Sequence, residues 1–148
     1  MRVFLDTNIF LEYFQRRTYH KEVSRIFDAI EDGNIKAYVS AGTIYTLAYL
    51  IRMELKRMQI HRPEQTIRLR TALNTILSLV SVGNVSHKNF QQGTNDNGFD
   101  DIEDSFQYQC AVQNKCDVII TINLHDYLGA DFSKIQVLSP QEYVEKYL

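Results

Sequence analysis

Short apolar runs that alternate with helical patterns constrain this chain more than any other feature. Val3-Phe4-Leu5, residues 35–39, Val80-Ser81-Val82, residues 117–121 and residues 135–138 are each too short for a helix and apolar enough for a buried strand. Between them apolar residues recur at helical spacing. Ile9, Phe10, Tyr13 and Phe14 come first, then Val23, Ile26, Phe27 and Ile30, closing at Gly33. Ser40 caps a long helix with a stripe of Ile44, Leu47, Ala48, Ile51 and Leu55. Pro63 opens another, with Ile67, Leu73, Ile76, Leu77 and Val80 on its expected inner face. A small polar helix follows Ser86, anchored by Phe90. A further helix starts at Asp100-Asp101 and runs to about Lys115. Ser139-Pro140-Gln141-Glu142 is a capping box that starts the last helix. Strands alternating with helices predict the α/β class with a mainly parallel sheet of four to five strands. No linker interrupts the pattern, and 148 residues suit one domain over 1–148.

Composition narrows the function classes. Hydrophobic residues make 45% and charged residues 23%, which excludes disordered and collagen-like chains. No apolar run approaches the roughly 20 residues of a membrane span. The N-terminus enters a strand without a signal-peptide core, so a cytoplasmic protein is expected. Cys110 and Cys116, placed on one helix by this reading, point apart and are expected to be buried, reduced thiols. Net charge is −2, without the basic excess of many nucleic-acid binders. The charges are uneven, however. Arg52, Lys56, Arg57, Arg62, Arg68 and Arg70 crowd one helix pair, whereas Asp96, Asp100, Asp101, Glu103 and Asp104 crowd another region. A basic surface beside an acidic pocket suits a polyanion, and a solvated helix pair is the plainer account.

Asp6 follows directly on the first strand, where ligands bind in open parallel sheets. Thr7 or Asn8 can cap the helix that follows, leaving Asp6 free for the crevice. Asp101 and Asp104 open a helix just before the strand over 117–121, three residues apart and so on one face, with Tyr108 on the same stripe. Thr121, Asn123 and Asp126 end or follow that strand. Were the two strands neighbours, all these oxygen ligands would meet at one edge. Two carboxylates about 4 Å apart repel by roughly 4 kcal/mol at an effective dielectric near 20, so a hard cation is welcome. No Ser-His-Asp set, Gly-rich phosphate loop or His–Cys cluster is present. His20, His61, His87 and His125 are scattered. A phosphohydrolase with an Asp nucleophile fits less well, since Asn8 stands where such enzymes often place a second Asp.

Four blocks in order carry a family resemblance: Phe4-Leu5-Asp6-Thr7-Asn8, Ser40-Ala41-Gly42-Thr43-Ile44, Asp101-Ile102-Glu103-Asp104-Ser105-Phe106-Gln107-Tyr108, and Ile119-Ile120-Thr121-Ile122-Asn123. With them the chain resembles a PIN domain, the fold of metal-dependent ribonucleases and of VapC-like toxins. The resemblance implies a three-layer α/β/α fold and a Mg²⁺ or Mn²⁺ site with Asp6 and Asp104 as first and third acids. The family's second acid falls on Thr46 and its fourth on Asn123, neither charged. Asp101, and Asp126 beyond it, are the substitutes at hand. The resemblance further implies endoribonuclease activity on RNA, with Asp6, Asp104, Asp101 and Asn123 as catalytic residues and the first three as ligands. Asn8, Thr7, Thr46, Thr121 and Asp126 would support them, and Arg52, Lys56, Arg57 and Arg62 would track RNA. An antitoxin protein and a second copy of the chain are the implied partners, with Tyr45, Tyr49 and Leu50 offered to a dimer contact or to the core. The two missing acids support an alternative, a non-catalytic PIN-like module that binds RNA or a protein.

Overall fold

The computed structural model describes Met1–Leu148. Its five strands are β1 (Arg2–Leu5), β2 (Lys36–Val39), β3 (Val80–Val82), β4 (Val118–Ile120) and β5 (Gln136–Leu138). All pairings are parallel, in the order β3-β2-β1-β4-β5. Seven α-helices connect or flank them: α1 (Thr7–Phe14), α2 (His20–Glu31), α3 (Ala41–Arg57), α4 (Glu64–Leu79), α5 (His87–Thr94), α6 (Ile102–Gln113) and α7 (Pro140–Tyr147). A 3₁₀ turn, Leu124–Tyr127, follows β4.

Alternation along the central strands creates the three layers. Val3 and Leu5 of β1, with Val118 and Ile120 of β4, join the larger core under α1, α2, α3, α4 and α7. Phe4 and Ile119 point the other way, into a second core with Tyr108, Cys110 and Ala111 of α6 and Tyr127. Successive strand residues face opposite sides, so a strand buried on both faces must be apolar throughout. That is why β1 and β4 read as unbroken apolar runs. Gly33, at φ 76°, lets the chain turn from α2 towards β2 in a conformation that costs other residues more.

Three expectations about packing need correction. Ile67 and Leu77 are exposed, and Gln65 and Ile76 are the buried residues of α4. Ile76 packs in the larger core, and Leu77, one residue on and about 100° round the helix, faces solvent. Phe90 is exposed as well. Gly93 brings α5 so close to α6 that a Cβ there would lie 2.8 Å from the Phe106 ring. Asn89 and Gly93 therefore form the inner face, and Phe90 meets Phe106 edge-on at 5.0 Å between ring centres. Cys116 lies beyond the end of α6, not on it, because Lys115 turns the chain at φ 55°. Both thiols are free and buried, and burial pushes Cys110 up to about 11 and Cys116 to about 12.

Two loops are locked together near the carboxyl edge of the sheet. A Cβ on Gly129 would overlap the backbone of Gly98, so the segment before α6 and the segment after the 3₁₀ turn touch main chain to main chain.

Candidate active site

Strand order reverses at β1. The chain steps outward through β2 and β3, then returns to place β4 on the other side of β1. Crevices open at the carboxyl ends of strands where the order reverses. Asp6 stands at the end of β1, and its backbone N–H donates to Ile120 O of β4 at 3.1 Å.

The Asp6 carboxylate does not hang free. It is itself the N-cap of α1, with Oδ1 accepting from Thr7 N at 2.7 Å. The first residue after the strand already has the extended backbone that a cap needs, so neither Thr7 nor Asn8 takes that role. Oδ1 also accepts from Gln107 Nε2 at 3.3 Å. Oδ2 accepts from Thr121 Oγ1 at 2.8 Å and from Asn8 Nδ2 at 3.2 Å. Burial raises the Asp6 pKa, and the bonds from Thr121, Thr7 and Gln107 oppose that rise. The group is thus fixed in place by donors that favour its charged form.

Those donors are fixed in turn. Thr7 Oγ1 and Thr43 Oγ1 are 2.8 Å apart, and Ser40, the cap of α3, accepts from Thr43 N at 3.2 Å. Gln107 also reaches Thr7 and Thr43, each at 3.4 Å. Asn8 Oδ1 accepts from Ile122 N at 3.4 Å, and Thr121 Oγ1 accepts from Asn123 N at 3.0 Å. Gln107 and Thr43 stand within the four sequence blocks that carry the resemblance, where nothing local marks either as part of a site. Their contacts span 101 and 36 residues, a separation that no local pattern reveals.

Asp104, in the first turn of α6, is the second carboxylate of the site. Burial, then the charges of Asp6, Asp101 and Asp126, push it up to about 7. Asp101 caps α6, its Oδ1 accepting from Glu103 N at 2.9 Å. It therefore precedes the helix, and the shared helical face expected for it and Asp104 does not apply. Both nonetheless line one cleft of about 780 Å³ with Asp6, Thr7, Asn8, Thr46, Asn123 and Asp126. Thr121 lies beneath, fully buried. Tyr108 turns away into the second core, where its hydroxyl accepts from Asp131 N at 3.2 Å, and Gln107 reaches the cleft instead. Tyr127 is wholly buried beside Asp6 and Asp104, and its hydroxyl has no hydrogen-bond partner. Burial and the two carboxylates hold its proton on, well above 10.

The donor set is all oxygen and suits a hard cation. No three acidic, histidine or cysteine side chains are arranged as a ready cage. Asp6, Asp101 and Asp126 all act on Asp104 through their charge, Asp6 the most. Mg²⁺ is commonly held by one or two carboxylates, water and substrate phosphate, not by an all-protein cage. These residues fit one such ion.

The basic residues lie elsewhere. Arg52, Lys56 and Arg62 line a separate cavity of about 710 Å³ at the α3–α4 end, with Tyr49, Met53, His61 and Gln65. Arg57 is paired with Glu54 and does not line it.

The sequence profile described as "PIN domain" matches residues 2–125. The chain belongs to the PIN domain family. This PIN domain is 24% identical over 148 residues to Ribonuclease VapC1 of Aquifex aeolicus (strain VF5), covering 99% of this chain and 95% of that protein. Its fold is similar to that in the crystal structure of VapBC2 from Rickettsia felis bound to a DNA fragment from their promoter. The TM-score there is 0.64 at 12% identity, covering 94% of this chain and 98% of the other. VapBC-1 from nontypeable Haemophilus influenzae gives 0.64 at 18% identity, covering 95% and 99%. The PIN fold accounts for the all-parallel sheet and for the cleft at its point of reversal.

Proposed function

We propose that this PIN domain is an endoribonuclease dependent on one Mg²⁺ or Mn²⁺ ion, and the toxin of a toxin–antitoxin pair that works in the cytoplasm. The observation that carries the reading is Asp104. A half-buried carboxylate lifted to about 7 by burial and by Asp6 is one that a bound cation would relieve. Support for the ribonuclease comes from the VapC1 relative, and for the antitoxin partner from the VapBC assemblies that share the fold.

Asp6 and Asp104 would hold the ion, with Asp101 and Asp126 adding charge from the rim. When bound, the ion supplies a water of lowered pKa and stabilises charge on the phosphoryl oxygens. The chain's own residues do the rest. Thr121, Asn8, Thr7 and Gln107 hold the Asp6 oxygens in one orientation, so little reorganisation is needed when substrate arrives. Asn123 and Thr46, both on the cleft wall, offer uncharged hydrogen-bonding groups to a phosphate or a water. Their lack of charge limits the site to a single ion.

Asp6→Asn removes one charge with little change of shape. Incubated with Mn²⁺ and a labelled RNA, the variant should leave the RNA whole while the parent cuts it, and a chelator should stop the parent. Equal cutting by both proteins overturns the assignment.

A second reading rests on Thr46 and Asn123, which leave the site two acids short. In that reading the cleft binds RNA or protein without chemistry. Thermal unfolding with millimolar Mn²⁺ separates the two: a nuclease gains stability by RT ln(1 + [L]/Kd), and a metal-blind module gains none.

A further inference from the structure

The hydroxyl of Tyr127 is out of keeping with the core around it. The ring is wholly buried at the end of the 3₁₀ turn and meets Phe99 edge-on, at 6.2 Å between ring centres and 88° between planes. Tyr127 O accepts from Ala130 N at 3.0 Å, and Gly129 between them is pressed against the Gly98 main chain. Ring and backbone are thus both held. A phenylalanine would fill the same space and make the same ring contacts. The hydroxyl is the one buried side-chain polar atom of the whole chain without a hydrogen-bond partner. Leaving such a group unpaired is costly, and folded proteins keep few of them.

Two carboxylates lie beside it, those of Asp6 and Asp104. A phenol has one proton to donate, so one of the two at a time can receive it. Asp6 is already served. Thr7 N and Gln107 Nε2 donate to one of its oxygens, and Thr121 Oγ1 and Asn8 Nδ2 donate to the other. The only donor that acts on Asp104 is the Tyr127 hydroxyl itself. A donor and an acceptor, each lacking a partner, therefore stand side by side. The donor is fixed in the core. The acceptor is half-buried, sits in the first turn of α6 and lines the open cleft.

We infer that Tyr127 is a positioning residue of the metal site: its hydroxyl closes on one oxygen of Asp104 from beneath when that carboxylate serves as a ligand, and turns the other oxygen towards Asp6. The inference rests on the single-ion reading above and deepens it. Metal ligands are commonly oriented by a hydrogen bond from a residue behind them, and losing that bond costs about 10–100-fold in metal affinity. Thr121 stands in this relation to Asp6, and Tyr127 to Asp104. No proton transfer is asked of the phenol.

Metal binding without RNA tests it. Mn²⁺ alone is titrated calorimetrically into the full chain at pH 8, and stability is read separately by urea unfolding in a chelator. Tyr127→Phe should bind Mn²⁺ about tenfold more weakly than the parent, or worse. In the chelator its urea midpoint should be no lower than the parent's, because it gives up a hydroxyl that makes no bond there. Tyr108→Phe is the control. The Tyr108 hydroxyl lies in the same core but accepts from Asp131 N at 3.2 Å. That variant should lose stability and keep the parent's Mn²⁺ affinity. A general disturbance of the core cannot produce this crossed pattern. Equal Mn²⁺ affinity in Tyr127→Phe and the parent overturns the inference, and so does an equal weakening in both variants. A lower urea midpoint for Tyr127→Phe in the chelator also overturns it, since the hydroxyl would then be bonded in the metal-free fold. A parent that binds no Mn²⁺ at millimolar concentration removes the single-ion reading and the inference with it, whereas a parent that binds beside an unaltered variant removes the inference alone.

Discussion

Thr121 Oγ1 donates to Asp6 Oδ2 across 2.8 Å, joining the ends of two neighbouring strands that lie 115 residues apart in the chain. Both residues are buried. The bond is at once part of the sheet's edge and part of the proposed site, so its loss should be read both in stability and in RNA cleavage.

Thr121→Val keeps the shape and removes the donor. A hydrogen bond to a charged group contributes about 1.5–3 kcal/mol, and urea unfolding should show a loss in that range. RNA cleavage should fall with it, because Asp6 loses the partner that fixes Oδ2. A variant as stable as the parent would show that the bond contributes nothing net.

Asp104 titrates near 7 in the folded protein, against about 3.9 for an unfolded aspartate. Between roughly pH 4 and pH 7 the folded state keeps a proton that the unfolded state has released. The stability this supplies is complete below about pH 4 and is lost as pH rises through about 7. Asp6, also raised, acts in the same direction. In a chelator the unfolding temperature should therefore fall across that window, and Asp104→Asn should flatten the fall. Mn²⁺ should raise the unfolding temperature more at pH 8 than at pH 5, because a protonated carboxyl competes with the metal.

Asn123→Asp restores an acid on the cleft wall. Without metal it adds like charge beside Asp104 and should lower stability. With Mn²⁺ it should increase the metal-induced thermal shift above that of the parent. A shift no larger than the parent's would place Asn123 outside ligand reach.

Gly129→Ala forces a Cβ into the Gly98 backbone. Overpacking of this kind costs about 1–3 kcal/mol, read as a lower urea midpoint with an unchanged slope. Metal-dependent stabilisation should shrink too, because the two loops joined there lead to Asp101 and Asp126.

Much of the fold could be read directly. The β1 and β4 runs are apolar throughout because both faces are buried, and the parallel sheet with Asp6 at its rim follows from that. The capping box at Ser139 and Glu142 stands where the sequence puts it. Periodicity failed on α4 and α5. Ile67 and Leu77 have helical spacing, but spacing does not say which side of a long helix meets the core, and Gln65 and Ile76 are the residues that do. Phe90 failed for a different reason: a glycine let α5 and α6 approach so closely that no room remained for a ring. Within the site, Asp6, Asp101, Asp104 and Asn123 line one cleft as their order suggested. Gln107 is not legible in the sequence, because only its partners distinguish an amide, and Asp6, Thr7 and Thr43 all lie far from it in the chain.

The reversal of strand order has a consequence for synthesis. β1 lies between β2 and β4, and β4 follows it in the chain only after β2, β3 and six helices have been made. Until then Asp6 has neither the Thr121 hydroxyl nor the Ile120 carbonyl beside it, and Asp104 has no floor to rest on. A product that stops short of β4 therefore lacks the assembled wall of the Asp6 cleft.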